Sequence, residues 1–194
     1  MTSALGSRLV RAGHEVVIGS RDPDRAQRRS ETIGASGATD YRSAAGAEAV
    51  ILALHDTSAL EIVASLADAL AGSILIDITN PLDAPGFESR YAGGASLAER
   101  IAAVVPTATV VKAFNSVYAE WLAEDRVDPV QVLIASDDAP AKAVVAALIE
   151  QIGCEPVDVG PLRVARHLEN LAGFEVDLVD RGFAPFVAFR LQTP

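Results

Sequence analysis

Positive charge and cysteine are both scarce in this sequence. Lysine and arginine together number 16, against 26 aspartates and glutamates, so the formal net charge is -10. So acidic a chain does not suit nucleic acids or anionic membranes as partners, because both are bound through positive patches. The single cysteine, Cys154, cannot form an internal disulfide, which favours a reducing, cytoplasmic environment.

Long apolar runs and metal-ligand spacings are missing as well. No run approaches the ~18 apolar residues of a membrane-spanning helix, and the N-terminus lacks the apolar core of a secretory signal. The histidines, His14, His55 and His167, are scattered and predict no metal site. Half of the residues are nevertheless hydrophobic, mostly Ala, Val, Ile and Leu. This composition suits a parallel sheet that is covered by helices on both faces.

Short apolar runs alternate with helical patterns along the chain. Strands are predicted over 14–20, 48–54, 73–81, 108–114, 130–136 and 155–160, with a short edge strand within 37–47. Helices are predicted up to Gly13 and over 22–33, 57–71, 96–106, 139–153 and 161–173. Residues 87–94 are predicted to be a loop, and 183–191 form an apolar segment of unassigned type. The alternation predicts a doubly wound, Rossmann-like α/β fold with a parallel sheet, which binds ligands beyond the carboxyl ends of its strands.

The end of strand 14–20 is the most informative of these strand ends. NAD-binding folds carry an acidic residue there, whereas this chain has Ser20 and Arg21. Arg25 follows one helical turn later, and the three side chains together could hold the 2′-phosphate of NADP. The alternative is a loop arginine followed by a solvated basic helix face, to which Arg28 and Arg29 also belong.

The next two strand ends offer weaker signals. His55, two residues after Ala53, follows an apolar strand at the point where the middle of a cofactor would pass. It is a weak candidate for catalysis, and the alternative is a residue that starts the following helix. Asn80 precedes a proline, which is a common turn signal, but its amide could also hydrogen-bond a carboxamide group.

Lys112 and Asn115 belong to the strand that follows. Lys112 lies in an apolar run, and a buried charge is costly unless it is paired. Two interpretations stay open for this lysine: a direct role at the site, or a structural one, in which it points outward or pairs with Asp77. Asn115 is a further candidate contact for the cofactor.

Several motifs occur in an order that carries a resemblance over nearly the whole chain. They include "GHEVVIGSRDPDRA", "LIDITNP", "VVKAFN" and "VGPLRVARHLE". The sequence resembles the family of NADP oxidoreductases that depend on the deazaflavin coenzyme F-420. The resemblance implies a Rossmann domain, 1–127, with a small C-terminal extension, 128–194. It also implies that Ser20, Arg21 and Arg25 bind the 2′-phosphate of NADP(H), and that hydride passes directly between two stacked rings.

The resemblance also concerns the start of the chain. Relatives begin with a strand and a G-x-G-x-x-G turn, and Thr2 stands about where the third glycine would be. The first strand and two glycines are then missing, so strands 14–20 and 48–54 lack a ladder partner and the pyrophosphate is poorly held. Either the boundary of the chain is artificial, or another segment fills the slot.

Three functions stay open from the sequence. The first is an NADP(H)-dependent oxidoreductase that passes hydride to or from a deazaflavin or another flat acceptor. The second is a reductase of another small substrate, but only residues 174–194 follow Gly173, too few for the helical domain of such reductases. The third is a non-catalytic or impaired NADP-binding protein. A homodimer and a monomer are both compatible with the sequence.

Overall fold

Helices and strands alternate through a computed structural model that describes residues 1–123 and 129–192. The helices are α1 (Thr2–Arg11), α2 (Pro23–Ile33), α3 (Tyr41–Ala44), α4 (Asp56–Ser65), α5 (Leu97–Val104), α6 (Ala119–Ala123), α7 (Ala139–Gln151) and α8 (Ala165–Asp180). The strands are β1 (Val17–Gly19), β2 (Gly37–Thr39), β3 (Ala49–Leu52), β4 (Ile74–Asp77), β5 (Leu82–Asp83), β6 (Glu88–Ser89), β7 (Thr109–Lys112), β8 (Gln131–Ala135) and β9 (Glu155–Gly160). The predicted α/β fold is confirmed.

The main sheet has five strands in the order β3-β4-β7-β8-β9, and β1 and β2 form a separate pair. All of these neighbours run parallel except β7 and β8, which meet in antiparallel orientation at Lys112 and Ala135. The predicted parallel sheet therefore contains one antiparallel pair. A parallel crossover needs a connection of a dozen or more residues that usually forms a helix, whereas the described residues between β7 and β8 form only the short α6.

The sheet is interrupted between β1 and β3. Among the described residues, β1 pairs only with β2, and β3 pairs only with β4, so each strand has one edge without a partner. This matches the prediction that both strands lack a ladder partner. Val17 of β1 is 44% exposed, and Ala49, Val50 and Ile51 of β3 are only partly buried. The two sheets are joined through helix packing rather than by backbone hydrogen bonds.

Helix α1 makes that connection. Leu5 and Leu9 of α1 are buried in the same apolar cluster as Ile76 and Val111 of the main sheet. Val16, the residue before β1, packs against this cluster from the other side of the interruption. The apolar face predicted for α1 therefore covers both sheets.

Side-chain caps fix where several helices begin. Asp22 accepts a hydrogen bond from the Arg25 amide at 3.0 Å, with a proline in the first turn of α2. Ser96 and Glu99 cap each other's backbone amides at the start of α5. Capping side chains bond amides that a helix leaves unpaired at its N-terminus, so these starts are encoded locally.

Helix α8 is longer than the predicted 161–173, because Gly173 does not end it. A 3-10 turn, Leu162–Val164, precedes α8, and Gly173 lies in the middle of the helix. A Cβ at Gly173 would lie 2.2 Å from the Phe87 carbonyl oxygen, so glycine allows a close approach to the β5–β6 hairpin. That hairpin corrects the predicted loop over 87–94, in which Glu88 and Ser89 form β6. Helices α3 and α6 were not predicted.

The last described residues, 181–192, form neither helix nor strand. They run back along the main sheet, where the Leu191 amide donates to the Gln131 side chain at 2.9 Å and Arg190 pairs with Glu155 at 2.7 Å. The predicted boundary between 127 and 128 lies outside the described residues. No described helix is long and apolar enough to span a membrane.

Candidate functional site

A cleft of about 270 Å³ opens where the carboxyl ends of β3 and β4 face the N-terminus of α1. Four of the predicted cofactor-binding residues line it: Thr2, Ala53, His55 and Asn80. Thr2 is the first residue of α1, and the other three follow β3 and β4 directly. The ends of β3 and β4 therefore meet at one site. The other predicted cofactor-binding residues do not line the cleft: Ser20, Arg21, Arg25, Lys112 and Asn115.

The predicted phosphate-binding residues lie at the end of β1 and the start of α2. The Ser20 hydroxyl accepts a hydrogen bond from the Asp22 amide at 3.2 Å, which fixes the turn into the helix. The side chains of Arg21 and Arg25 are exposed, and no carboxylate of the described residues pairs with either guanidinium. An acidic protein that keeps two adjacent arginines unpaired has a place where an anion can bind.

Arg29 is a residue of the cleft that the sequence interpretation missed. It is half-buried and lines the cleft together with Thr2 and His55. Its spacing of four residues from Arg25 was the available signal, since residues at i and i+4 share one helix face. The alternative interpretation of this region assigned Arg29 to a solvated basic face. The structure instead continues the basic side of α2 into the cleft.

His55 immediately precedes α4, at the entry to that helix, as the alternative interpretation proposed. Its Nδ1 atom lies 3.1 Å from Asp56 Oδ1 and 3.2 Å from Thr57 Oγ1, while 80% of its side chain is exposed. Asp56 in turn pairs with Arg90, which also binds Asp83 of the β5–β6 hairpin. These contacts hold the imidazole at the cleft while it stays exposed to solvent.

Lys112 lies behind the wall of the cleft and is completely buried. Its ammonium donates to Asp77 Oδ2 at 2.9 Å, to the Thr79 carbonyl oxygen at 2.6 Å and to Glu169 Oε1 at 3.3 Å. The pairing with Asp77 that the sequence left open is therefore present. Since an ammonium has three protons and this one has three acceptors, Lys112 contributes to the shape of the wall.

Glu169 reaches this cluster from α8 and was not predicted. Its Oε2 accepts from the Leu97 amide at 3.2 Å and its Oε1 from the Ala98 amide at 3.4 Å, in the first turn of α5. Burial raises the pKa of Glu169 above its usual range, and the Lys112 ammonium opposes that shift. No local pattern could reveal this partner, because Glu169 is 57 residues from Lys112.

Asn80 and Asn115 interlock across the same wall. Asn80 Nδ2 donates to the Asn115 carbonyl oxygen, and Asn115 Nδ2 donates to Asn80 Oδ1 at 3.0 Å. Asn115 also donates to the Leu168 carbonyl oxygen of α8 at 2.8 Å. Asn115 is buried and does not line the cleft, so it holds Asn80 in place from behind.

Comparisons with known proteins bear directly on this site. The family model described as "NADP oxidoreductase coenzyme F420-dependent" matches residues 1–81, which include the end of β1 and all of the cleft wall up to Asn80. The F420-dependent NADP reductase of Methanothermobacter thermautotrophicus is 33% identical over 192 residues, covering 90% of this chain and 82% of the relative. The chain belongs to this family. As a member of the F420-dependent NADP oxidoreductases, it is an NADP-dependent oxidoreductase.

Two further proteins are similar to this chain. A crystal structure of a candidate F420-dependent NADP-reductase from Arthrobacter sp. FB24 superimposes with a TM-score of 0.87 at 28% identity, covering 98% of this chain and 94% of that one. The metalloreductase STEAP3 of Rattus norvegicus is 36% identical over 169 residues. That match covers 87% of this chain but only 33% of STEAP3, so the chain spans about a third of that relative.

Proposed function

We propose that this oxidoreductase transfers a hydride between NADP(H) and a flat acceptor of the deazaflavin type, in the cleft between α1 and the ends of β3 and β4. The observation that carries the proposal is a group of arginines at the end of β1 and along α2, Arg21, Arg25 and Arg29, of which Arg29 lines the same cleft as Asn80. Bound NADPH would supply the hydride. The chain would supply binding, orientation and partial exclusion of water.

This group of arginines supports the choice of NADP over NAD. Arg21 can donate two parallel hydrogen bonds to a phosphate, and the Ser20 hydroxyl is within the same turn. The position that holds a carboxylate in NAD-binding folds is occupied by these donors instead. Arg29 would extend the positive surface towards the remaining phosphates, because it lines the cleft one helical turn after Arg25.

The free hydrogen-bonding groups of Asn80 support the placement of a nicotinamide ring in the cleft. Asn80 uses one amide proton and one oxygen lone pair to bond Asn115, so one proton and one lone pair stay available for a carboxamide. The volume of about 270 Å³ is near the lower end for small-molecule sites. It suits one end of a dinucleotide, and the other end would lie along α2.

A second candidate, an impaired NADP-binding protein, is favoured by one observation. The sheet is interrupted between β1 and β3, beside the N-terminus of α1, and the described residues offer no glycine turn there. Such turns let backbone amides approach a pyrophosphate closely. On this alternative, the arginines of α2 would bind the 2′-phosphate, but turnover would be slow.

An acceptor assay distinguishes the candidates. The protein is mixed with NADPH under anaerobic conditions, either with the oxidised deazaflavin or with a free flavin, and both chromophores are followed. We expect loss of NADPH matched by reduction of the deazaflavin and little reaction with the flavin. NADPH binding without reduction of any acceptor would favour the impaired protein, and equal rates with both acceptors would refute the deazaflavin proposal.

Replacing His55 with alanine tests whether the chain supplies an acid or base. Direct hydride transfer needs neither, so His55→Ala should keep the single-turnover rate within about tenfold of the original, whereas loss of a general acid or base costs roughly 10²–10⁴-fold. His167→Ala, which removes an exposed imidazole from α8, is the matched control. A collapse of the rate in His55→Ala alone, with NADPH affinity intact, would show that His55 is catalytic.

A further inference from the structure

The ion cluster behind the cleft wall carries unequal charge. It contains one ammonium, Lys112, and two carboxylates, Asp77 and Glu169, and none of the three is more than 1% exposed. No other charged side chain of the described residues bonds directly to these groups. When all three are ionised, the cluster has a net charge of one negative unit in a region that water does not reach.

The hydrogen bonds around Glu169 are those of an ionised carboxylate. Its two oxygens face the Lys112 ammonium and the Leu97 and Ala98 amides, all of which are donors. A protonated carboxyl would need an acceptor for its own hydrogen, and these neighbours offer none. The two amides also belong to the first turn of α5, where a helix favours negative charge.

The cluster is one residue away from the cleft. Thr79 lines the cleft, while its carbonyl oxygen accepts from Lys112 and its amide and hydroxyl donate to Asp77. This inference rests on the proposed function, in which the 2′-phosphate lies at α2. The nicotinamide end of the dinucleotide would then lie in the cleft, beside Thr79 and Asn80.

We propose that the net negative charge of the Asp77–Lys112–Glu169 cluster stabilises oxidised nicotinamide relative to its reduced form and so favours hydride donation by NADPH. When hydride is donated, the C4–H bond breaks and both of its electrons leave with the hydrogen for the acceptor. The ring that stays behind is cationic, whereas the reduced ring is neutral. A fixed negative charge behind Thr79 attracts the cation alone, and the dry surroundings weaken screening.

The test is the ratio of two dissociation constants, Kd for NADP⁺ divided by Kd for NADPH, measured by titration up to millimolar nucleotide. Glu169→Gln removes one negative charge and should raise this ratio by about tenfold. Glu169→Asp keeps the charge while it disturbs the contacts, so its ratio should stay within about twofold of the original. The phosphates are common to both nucleotides, so changes in their binding cancel in the ratio.

Glu99→Gln provides the control for charge removal at the same helix. Glu99 lies in the first turn of α5, where the Arg166 guanidinium lowers the pKa of its carboxyl to about 2, so it is ionised at neutral pH. Its partner Arg166 is half exposed, and solvent screens the pair. The ratio should therefore be unchanged in Glu99→Gln, although the helix cap is weakened.

Asp77→Asn keeps the proposal testable if Glu169→Gln fails to fold. It removes a charge from the same cluster and should raise the ratio in the same direction. Unchanged ratios in the folded variants would overturn this inference, while the proposed function would stand. Failure of the original protein to bind either nucleotide would overturn the proposed function and this inference with it.

Discussion

Arg21→Asp is expected to weaken NADPH binding by about 2–4 kcal/mol while NADH binding changes little. The substitution removes the forked donor at the end of β1 and places a negative charge where the 2′-phosphate would lie. Arg21 is exposed and has no carboxylate partner among the described residues, so its loss should not unfold the protein. Titration of the variant with each nucleotide measures the two affinities separately.

Arg28→Asp is the matched control for that substitution. It makes the same change of charge on an exposed side chain of α2 that does not line the cleft. We expect Arg28→Asp to weaken NADPH binding by less than about 1 kcal/mol, because solvent screens exposed charges. Equal losses for NADPH and NADH in Arg21→Asp would refute the assignment of this residue to the 2′-phosphate.

A variant with an apolar strand and a G-x-G turn joined ahead of Thr2 is expected to melt about 5–10 °C higher than the 194-residue chain. The added strand would pair with the free edges of β1 and β3, which have no strand partner among the described residues. The same variant should bind NADPH more tightly, because the new turn would bring backbone amides to the pyrophosphate at the N-terminus of α1. Calorimetry measures both quantities.

The control is an extension of equal length in which prolines replace residues of the added strand. Proline lacks the amide proton that a ladder needs, so this variant should melt and bind like the original chain. If the strand-forming extension changes neither the melting temperature nor the NADPH affinity, the interruption between β1 and β3 is not a site that accepts a strand.

Local sequence signals account for the elements that the structure confirms. The runs that became β3, β4 and β7 are short and mostly apolar, and turn residues or helices follow them, which is typical of strands in a parallel sheet. Asp22 and Pro23 marked the start of α2 because a cap and a first-turn proline act within four residues. That Thr2, His55 and Asn80 line one cleft followed from the rule that such folds bind ligands beyond the carboxyl ends of their strands.

The elements that escaped prediction depend on contacts between distant residues. The β5–β6 hairpin has strands of two residues, which carry no periodicity, and it is held where Gly173 lets α8 approach Phe87. The antiparallel meeting of β7 and β8 depends on the path of the connection rather than on either strand. Lys112 could be recognised as needing a partner, but Glu169 could be found only once α8 was placed against α5.

The burial of Lys112 has a consequence for the order in which the chain folds. Asp77 precedes Lys112 by 35 residues, so this pair can form as soon as β4 and β7 meet. Glu169 follows by 57 residues, and until it arrives the ammonium lacks one acceptor and the side of the sheet under α8 stays open to water. During synthesis from the N-terminus, β4 and β7 therefore emerge before the helix that completes the burial of Lys112. The interior of this protein closes late, with its C-terminal helix.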